Sequence, residues 1–374
     1  MDSHEFADNE INAYQHADSS GRRSSASSVG VAPQKRRGSG LVGSTDTRLS
    51  KSEIVRAIYE PVQDGMAAVE RRLKTELQSP YEVLQPLLRH GTQLGGKRLR
   101  PALVLLTATA VGGWSDDHVT IATALEMVHT ATLVHDDVLD SATQRRHVET
   151  VNARWGNQTS ILLGDYLFAQ AYSLTATLKT TEASRLIGEA SRRVCEGEMR
   201  QILSQGNLQL DEPTYLDIIR GKTAELCRVG CRLGARLADA RPDVVEAMGR
   251  FGDSLGIAFQ IADDFLDLWG DAASVGKTLG TDLQQGKMTL PMIYMLRQAS
   301  PDVRRQLEAV LQGPPEERWY GISLALAESG AREYTKSKAH ELVDIALESL
   351  QCLPDSPAKD SLEAIARFSI HRRF

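Results

Sequence analysis

An all-α fold in a single domain, behind an unstructured tail, is what the 374-residue sequence predicts. Three observations carry that expectation. From Ser52 to the C-terminus apolar residues recur at helical spacing, and no run of strand-period alternation interrupts them. Prolines 101, 213 and 242 stand where a first helical turn would begin. Two apolar segments, EMVHTATLVHDDVLDSATQRR (Glu126–Arg146) and QIADDFLD (Gln260–Asp267), end in aspartates at one shared spacing.

Residues 1–50 differ from the rest. Ten of the fifty are serine, large apolar residues are few, and acidic charges precede basic ones. Such a stretch cannot bury enough surface to offset its ordering entropy, so a disordered tail is expected, with the folded domain at 51–374. A transit peptide would be poor in acids at its start, and this segment is not. Ser52 caps the first expected helix, which runs to about Leu77, with Pro61 the place for a bend. A short helix over Tyr81–Leu94 follows, then the Gly95-Gly96 break and a helix over Arg98–Val111. Asp116 to about Asp140 is next; Val151–Trp155 is too short to assign. Further helices are expected at Ser160–Leu178, Ser184–Leu203, Pro213 to about Ala240, and from Pro242 through the second aspartate group. A glycine-marked loop, Gly270–Lys287, leads to shorter helices near 291–298, 303–311, 321–329, 335–350 and 361–368.

A net charge of −6 argues against a nucleic-acid binder. Cys195, Cys227, Cys231 and Cys352 match no zinc spacing and no disulfide framework, which fits a reducing cytoplasm. No apolar run reaches transmembrane length, and no signal-peptide pattern opens the chain.

The chemistry is concentrated in the aspartates. Asp136 and Asp140 lie four apart and share a helix face, with Asp137 beside them; Asp263, Asp264 and Asp267 repeat the spacing. Like charges so placed destabilise a helix by a few tenths of a kcal/mol per pair, so a cation should offset them. One such group could be a solvated helix end; two are harder to explain that way. Hard oxygen donors of this kind suit Mg2+, which binds through one or two carboxylates plus substrate phosphates.

Cations surround these groups in sequence. Gly95-Gly96-Lys97-Arg98-Leu99-Arg100-Pro101 puts three charges after a flexible glycine pair, where Lys97 and Arg100 could grip phosphate oxygens; a simple turn is the alternative. His129 shares the face of Asp136 two turns earlier, although a lone histidine there is usually a core residue. Arg145-Arg146 follow the first group by one short loop. Lys222-Thr223 lie inside an apolar helix, where a lysine needs an anion. Gly276-Lys277 and Gly286-Lys287 follow the second group.

Taken together, GGKRLRP, HTATLVHDDVLD, RR, GKT, QIADDFLD and the two GK pairs resemble the all-trans isoprenyl diphosphate synthases, and within them the long-chain polyprenyl type, from about residue 52 onward. The resemblance implies a bundle of long helices around a central cavity, usually in a homodimer, with no transmembrane segment and with peripheral membrane contact for product release an open expectation. It implies Mg2+ ligation by Asp136 and Asp140, with Asp137 beside them, and by Asp263, Asp264 and Asp267. Lys97, Arg100, His129 and Arg146 match the isopentenyl diphosphate site. Arg145, Lys222, Thr223, Gln260, Lys277 and Lys287 match the allylic diphosphate site. One departure is His147-Val148-Glu149-Thr150, which lacks the glycine and proline common after the arginine pair and leaves the loop shape open.

The implied reaction is condensation of isopentenyl diphosphate onto an allylic diphosphate. Ala131 and Thr132 occupy positions where bulky aromatic residues close the cavity in short-chain members; both are small here, so a product of about seven to ten units is expected, tied to several open helix turns at roughly 5.4 Å each. Such a chain suits a quinone side chain. A shorter-chain farnesyl or geranylgeranyl synthase is the alternative. A non-catalytic partner subunit of a heteromeric prenyltransferase would have a degraded aspartate group. A phosphohydrolase, suggested by His135-Asp136, would need more histidine and aspartate ligands, and a terpene cyclase would have no use for GGKRLRP.

Overall fold

Helix α5 (Asp116–Leu139) is the axis of the molecule in a computed structural model that describes residues 51–93, 96–270 and 280–370. The expected tail at 1–50 and Lys277 lie outside the described residues. Ile121, Ala122, Ala124, Leu125, Met127, Val128, Ala131 and Val134 of α5 are all fully buried, so the helix is enclosed on every side. Each larger side chain of that set contributes about 1.5–3 kcal/mol through burial. The helix starts at Ser115, whose hydroxyl and amide both meet His118 Nδ1, at 2.9 and 3.0 Å.

Before α5 come α1 (Lys51–Tyr59), α2 (Gln63–Glu76), α3 (Gln85–Gln93) and α4 (Leu99–Val111). The first expected helix is two helices: Pro61 lacks an amide donor, and a 3-10 turn at Glu60–Val62 carries the break. After α5, a two-stranded hairpin, β1 (Gln144–Arg145) and β2 (Val148–Glu149), corrects the expectation of no strand at all. Next come α6 (Val151–Trp155), α7 (Asn157–Thr175) and α8 (Glu182–Leu203). Thr150 caps α6, the segment too short to assign from sequence.

The expected long helix from Pro213 is α9 (Glu212–Ile219) and α10 (Glu225–Leu237), joined without a break by a π-helical segment at Arg220–Ala224. Helix α11 (Pro242–Trp269) follows, then α12 (Thr281–Gln284), α13 (Leu290–Gln298), α14 (Pro301–Gln312), α15 (Pro315–Glu328), α16 (Ala331–Ser349) and α17 (Pro357–Ile370). Helix α15 starts at Pro315 rather than near Gly321, because the proline serves as its first turn.

Helix α5 packs on α4, α7 and α10, while α10 also packs on α11, and α11 on α16. Helix α10 therefore ties the two aspartate-bearing helices to one core. Glycines set the closest approaches. A Cβ at Gly256 of α11 would lie 2.4 Å from Ala224 Cα, and one at Gly197 of α8 would lie 2.5 Å from the Lys222 amide. The π segment is thus gripped from two sides by backbone.

Candidate active site

The first aspartate group forms the last turn of α5, where exposed carbonyls already make the helix end negative. Its three carboxylates differ. Asp137 is 1% exposed and takes two contacts from Arg145, Nε at 2.9 Å and Nη2 at 2.8 Å on the same oxygen. Asp140 is exposed and Asp136 half-buried. Burial raises the Asp136 pKa to about 6; Lys222 and Arg145 pull it down, while Glu198 and Asp140 push it up. This end of α5 carries more negative charge than its neighbours neutralise, so it attracts a cation.

In α11 the same spacing has a different setting. Asp263 is exposed, whereas Asp264 is buried. Asp264 Oδ2 accepts from the Tyr215 hydroxyl at 2.6 Å and Oδ1 from Gln260 Nε2 at 2.8 Å. Burial and the nearby Asp282 raise the Asp264 pKa, against the pull of those two donors. The Asp267 oxygens accept the backbone N–H groups of Thr281 and Asp282, at 3.2 and 3.1 Å, and so cap α12.

Between the groups lies the π segment. Wide turns of this kind occur at functional sites because the extra residue redirects side chains. Here Lys222 Nζ meets Glu198 Oε2 at 2.5 Å and Gln201 Oε1 at 2.7 Å, and it acts electrostatically on Asp136. The next residue, Thr223, donates to Gln260 Oε1 at 2.7 Å. Adjacent residues of one segment thus address the two aspartate helices separately. Lys287 completes the ring with Asp282 at 3.4 Å. Burial opposes its charge, but Asp282, Asp140 and Glu198 outweigh that and raise its pKa.

A second concentration of charge flanks α5 near His129. Burial lowers the His129 pKa well below its ordinary value, and Arg100, Arg146, Arg145 and Arg98 lower it further, so the imidazole is neutral. Arg98 is structural: it reaches Glu70 at 2.6 Å and the buried Glu126 at 2.9 Å from a backbone with φ 53°. Arg100 differs, since its Nε is buried with no hydrogen-bond partner. Arg146 lies so close to Gly96 that a Cβ there would meet its Nη1 at 2.2 Å. Lys97 sits in the same loop, with its carbonyl accepting from Tyr59 at 2.9 Å and its ammonium 5.5 Å from the Phe368 ring. An uncompensated donor beside Arg146 and a neutral histidine describes an anion site.

Arg146 and His147 are the two turn residues of the hairpin, at φ 53° and 65°. A two-residue turn of this hand needs positive φ at both positions, which glycine and asparagine favour. The loop that lacks the family's glycine therefore still makes the turn, at a cost of about 1–2 kcal/mol per left-handed residue. Ala131 is buried, and the Thr132 hydroxyl turns back onto the His129 carbonyl at 2.7 Å. His135, next to the first group, contacts the Ile161 carbonyl at 3.0 Å and the Asp165 carboxylate at 3.7 Å on α7, which gives the phosphohydrolase reading no support.

Among the described residues, no three acid, histidine or cysteine side chains are gathered as a cage for a metal. The carboxylates of the two aspartate groups are hard oxygen donors, the type that suits a cation whose remaining ligands are phosphate oxygens and water. Sequence reasoning missed Glu198, Gln201, Tyr215 and Asp282. The first pair resembles the charged face of an ordinary surface helix, and the other two stand far from the residues they serve.

The family profile described as polyprenyl synthetase matches residues 81–319. The chain belongs to that family. Octaprenyl diphosphate synthase of Escherichia coli is 34% identical over 316 residues, covering 84% of this chain and 98% of that protein. The crystal structure of a decaprenyl diphosphate synthase from Rhodobacter capsulatus superposes with a TM-score of 0.80 at 34% identity, covering 85% of this chain and 99% of that one. A polyprenyl synthase from Caulobacter crescentus, complexed with calcium and isoprenyl diphosphate, gives 0.78 at 33% identity, with coverage of 86% and 98%. Membership makes the chain a prenyltransferase of all-α fold. No helix among the described residues is long and apolar enough to cross a membrane.

Proposed function

We propose that the protein is a long-chain all-trans polyprenyl diphosphate synthase that condenses isopentenyl diphosphate repeatedly onto an allylic diphosphate, acting in the cytoplasm as a homodimer. The observation that carries this reading is the pairing of two distinct charged sites beside α5, one that attracts an anion directly and one that attracts a cation able to bridge to a diphosphate. One is the cation group of Lys97, Arg100, His129 and Arg146; the other is the ring formed by the two aspartate groups with Lys222 and Lys287. A single-substrate cyclase has no use for the first.

Asp136, Asp140 and Asp263 would hold Mg2+, which supplies charge neutralisation on the departing diphosphate. Asp264 and Asp267, expected as ligands too, have their oxygens engaged and support this reading as organisers of the site. Lys222 and Lys287, with Lys277, neutralise the rest of that charge, and Arg145 holds Asp137 while adding to the positive field. The allylic cation needs dipoles nearby and no nucleophile; the Thr223 hydroxyl and the Gln260 amide oxygen provide them. Isopentenyl diphosphate, held by Lys97, Arg100, neutral His129 and Arg146, then attacks through its double bond. Among the described residues no side chain stands out as a base, so the proton passes to the released diphosphate.

Ala131 and Thr132 leave the α5 face below Asp136 without an aromatic floor, which supports a product of about seven to ten units at roughly 5.4 Å per open helix turn. Incubating the protein with labelled isopentenyl diphosphate and an allylic primer, and sizing the products, tests this directly. Products ending at three or four units would overturn the long-chain reading. Thr132→Phe should shorten the product; unchanged lengths would remove Thr132 from the chain-length role.

A further inference from the structure

We propose that Tyr215 is a positioning residue for the Gln260 amide, acting through Asp264, so that the middle aspartate of the second group orients a dipole rather than binding a cation. The inference rests on the prenyltransferase reading above and deepens it.

Four side chains form one hydrogen-bonded line. The Tyr215 hydroxyl donates to Asp264 Oδ2 at 2.6 Å, Gln260 Nε2 donates to Asp264 Oδ1 at 2.8 Å, and the Thr223 hydroxyl donates to Gln260 Oε1 at 2.7 Å. Tyr215 is 3% exposed and Asp264 5% exposed, so water does not compete for the bond between them. The two ends of a glutamine amide have nearly the same shape and opposite polarity. Which end faces a developing cation is decided by hydrogen bonding alone.

Both Asp264 oxygens serve as acceptors here, Oδ2 for Tyr215 and Oδ1 for Gln260 Nε2, so Asp264 meets the nitrogen end of Gln260 and leaves the oxygen on the side of Thr223. The reverse orientation would aim N–H groups at positive charge. Tyr215 secures the other carboxylate oxygen, which prevents Asp264 from turning away. The geometry behind this is stiff: α11 lies against the π segment at Gly256, where a Cβ would meet Ala224 Cα at 2.4 Å. A phenylalanine would fill the Tyr215 site equally well; the hydroxyl is used on Asp264.

The test is a double-mutant cycle on the full-length protein, with condensation rate, KM for each diphosphate and melting temperature as readouts. Wild-type condensation is established first, and its absence would remove the prenyltransferase reading before any variant is made. Tyr215→Phe should lower kcat by about tenfold, the scale of one hydrogen bond, with both KM values unchanged within about twofold. In a Gln260→Leu background the same change should cost nothing further, because the dipole it orients is gone. Asp264→Asn enters the same cycle, so the test stands if Tyr215→Phe folds poorly. An equal loss of kcat in both backgrounds, or a loss confined to KM, would overturn the proposal.

Discussion

The two aspartate groups have the same spacing and opposite circumstances. At the end of α5, one carboxylate of three is tied down, Asp137 by Arg145, while Asp136 and Asp140 stay available. In α11 the settings differ: Asp264 is held by Tyr215 and Gln260, Asp267 caps α12, and Asp263 is exposed. Spacing places carboxylates on a face; the residues packed against that face decide how each one is held. A duplicated motif therefore need not be a duplicated function.

The strongest test of this asymmetry is activity. Asp136→Ala and Asp263→Ala should each lower kcat by at least about 10²-fold, the scale for losing one stabilising group, while far-ultraviolet circular dichroism stays unchanged. Near-normal turnover in either variant with Mg2+ present would sink the two-group mechanism.

Stability should separate two neighbours in opposite directions. Asp137→Ala leaves Arg145 without its buried partner and should cost about 2–4 kcal/mol, near the range for breaking a buried pair. Asp136→Asn should instead stabilise the ligand-free protein. The folded-state pKa of Asp136 is raised to about 6 from the ordinary 3.8, so the folded state binds its proton more tightly than the unfolded state does. Its contribution to stability is fullest below pH 3.8 and is lost as pH rises through 6. At pH 7.5 the charge is a burden; removing it should gain on the order of 1 kcal/mol, after discounting for partial exposure. Denaturant melts of both variants at that pH would show the contrast, and a lower midpoint for Asp136→Asn would refute it.

The same carboxyl predicts a pH limit on binding. Below about pH 6 Asp136 becomes protonated, so Mg2+-dependent binding of an allylic diphosphate should weaken by up to about tenfold per pH unit. Calorimetric titration from pH 7.5 to 5 would detect it, and Asp136→Asn should flatten the profile. The smallest expected effect lies in the hairpin beside the first group. His147→Gly should stabilise the protein by up to about 1 kcal/mol, because a left-handed turn position suits glycine. An unchanged or lower melting midpoint would mean that the His147 side chain compensates for its backbone.

Much of this was legible in the sequence, for identifiable reasons. Helical periodicity and first-turn prolines located most helices, since both act locally. The hairpin at 144–149 was invisible because its turn is Arg-His where the usual signal is Asn-Gly. The DDxxD spacings located both aspartate groups but could not rank their members. That ranking depends on Arg145, eight residues away, and on Tyr215, which stands 49 residues from Asp264. Likewise GGKRLRP announced three cations, yet only packing shows that Arg98 turns inward to Glu126 while Arg100 keeps an unpartnered nitrogen.

The π segment at Arg220–Ala224 also constrains how this chain can vary. Each residue added to or removed from a helix rotates everything beyond it by roughly 100°. The wide turn here takes up one residue in place, so losing one between Ile219 and Glu225 would restore a regular helix, keep the buried side of α10, with Leu226, Val229 and Leu233, in phase, and re-aim the side chains of the segment itself. Lys222 and Thr223 therefore reach Gln201 and Gln260 from adjacent positions only while the extra residue stays. A one-residue deletion here would spare the core of α10 and disable the site, so the two can be lost separately.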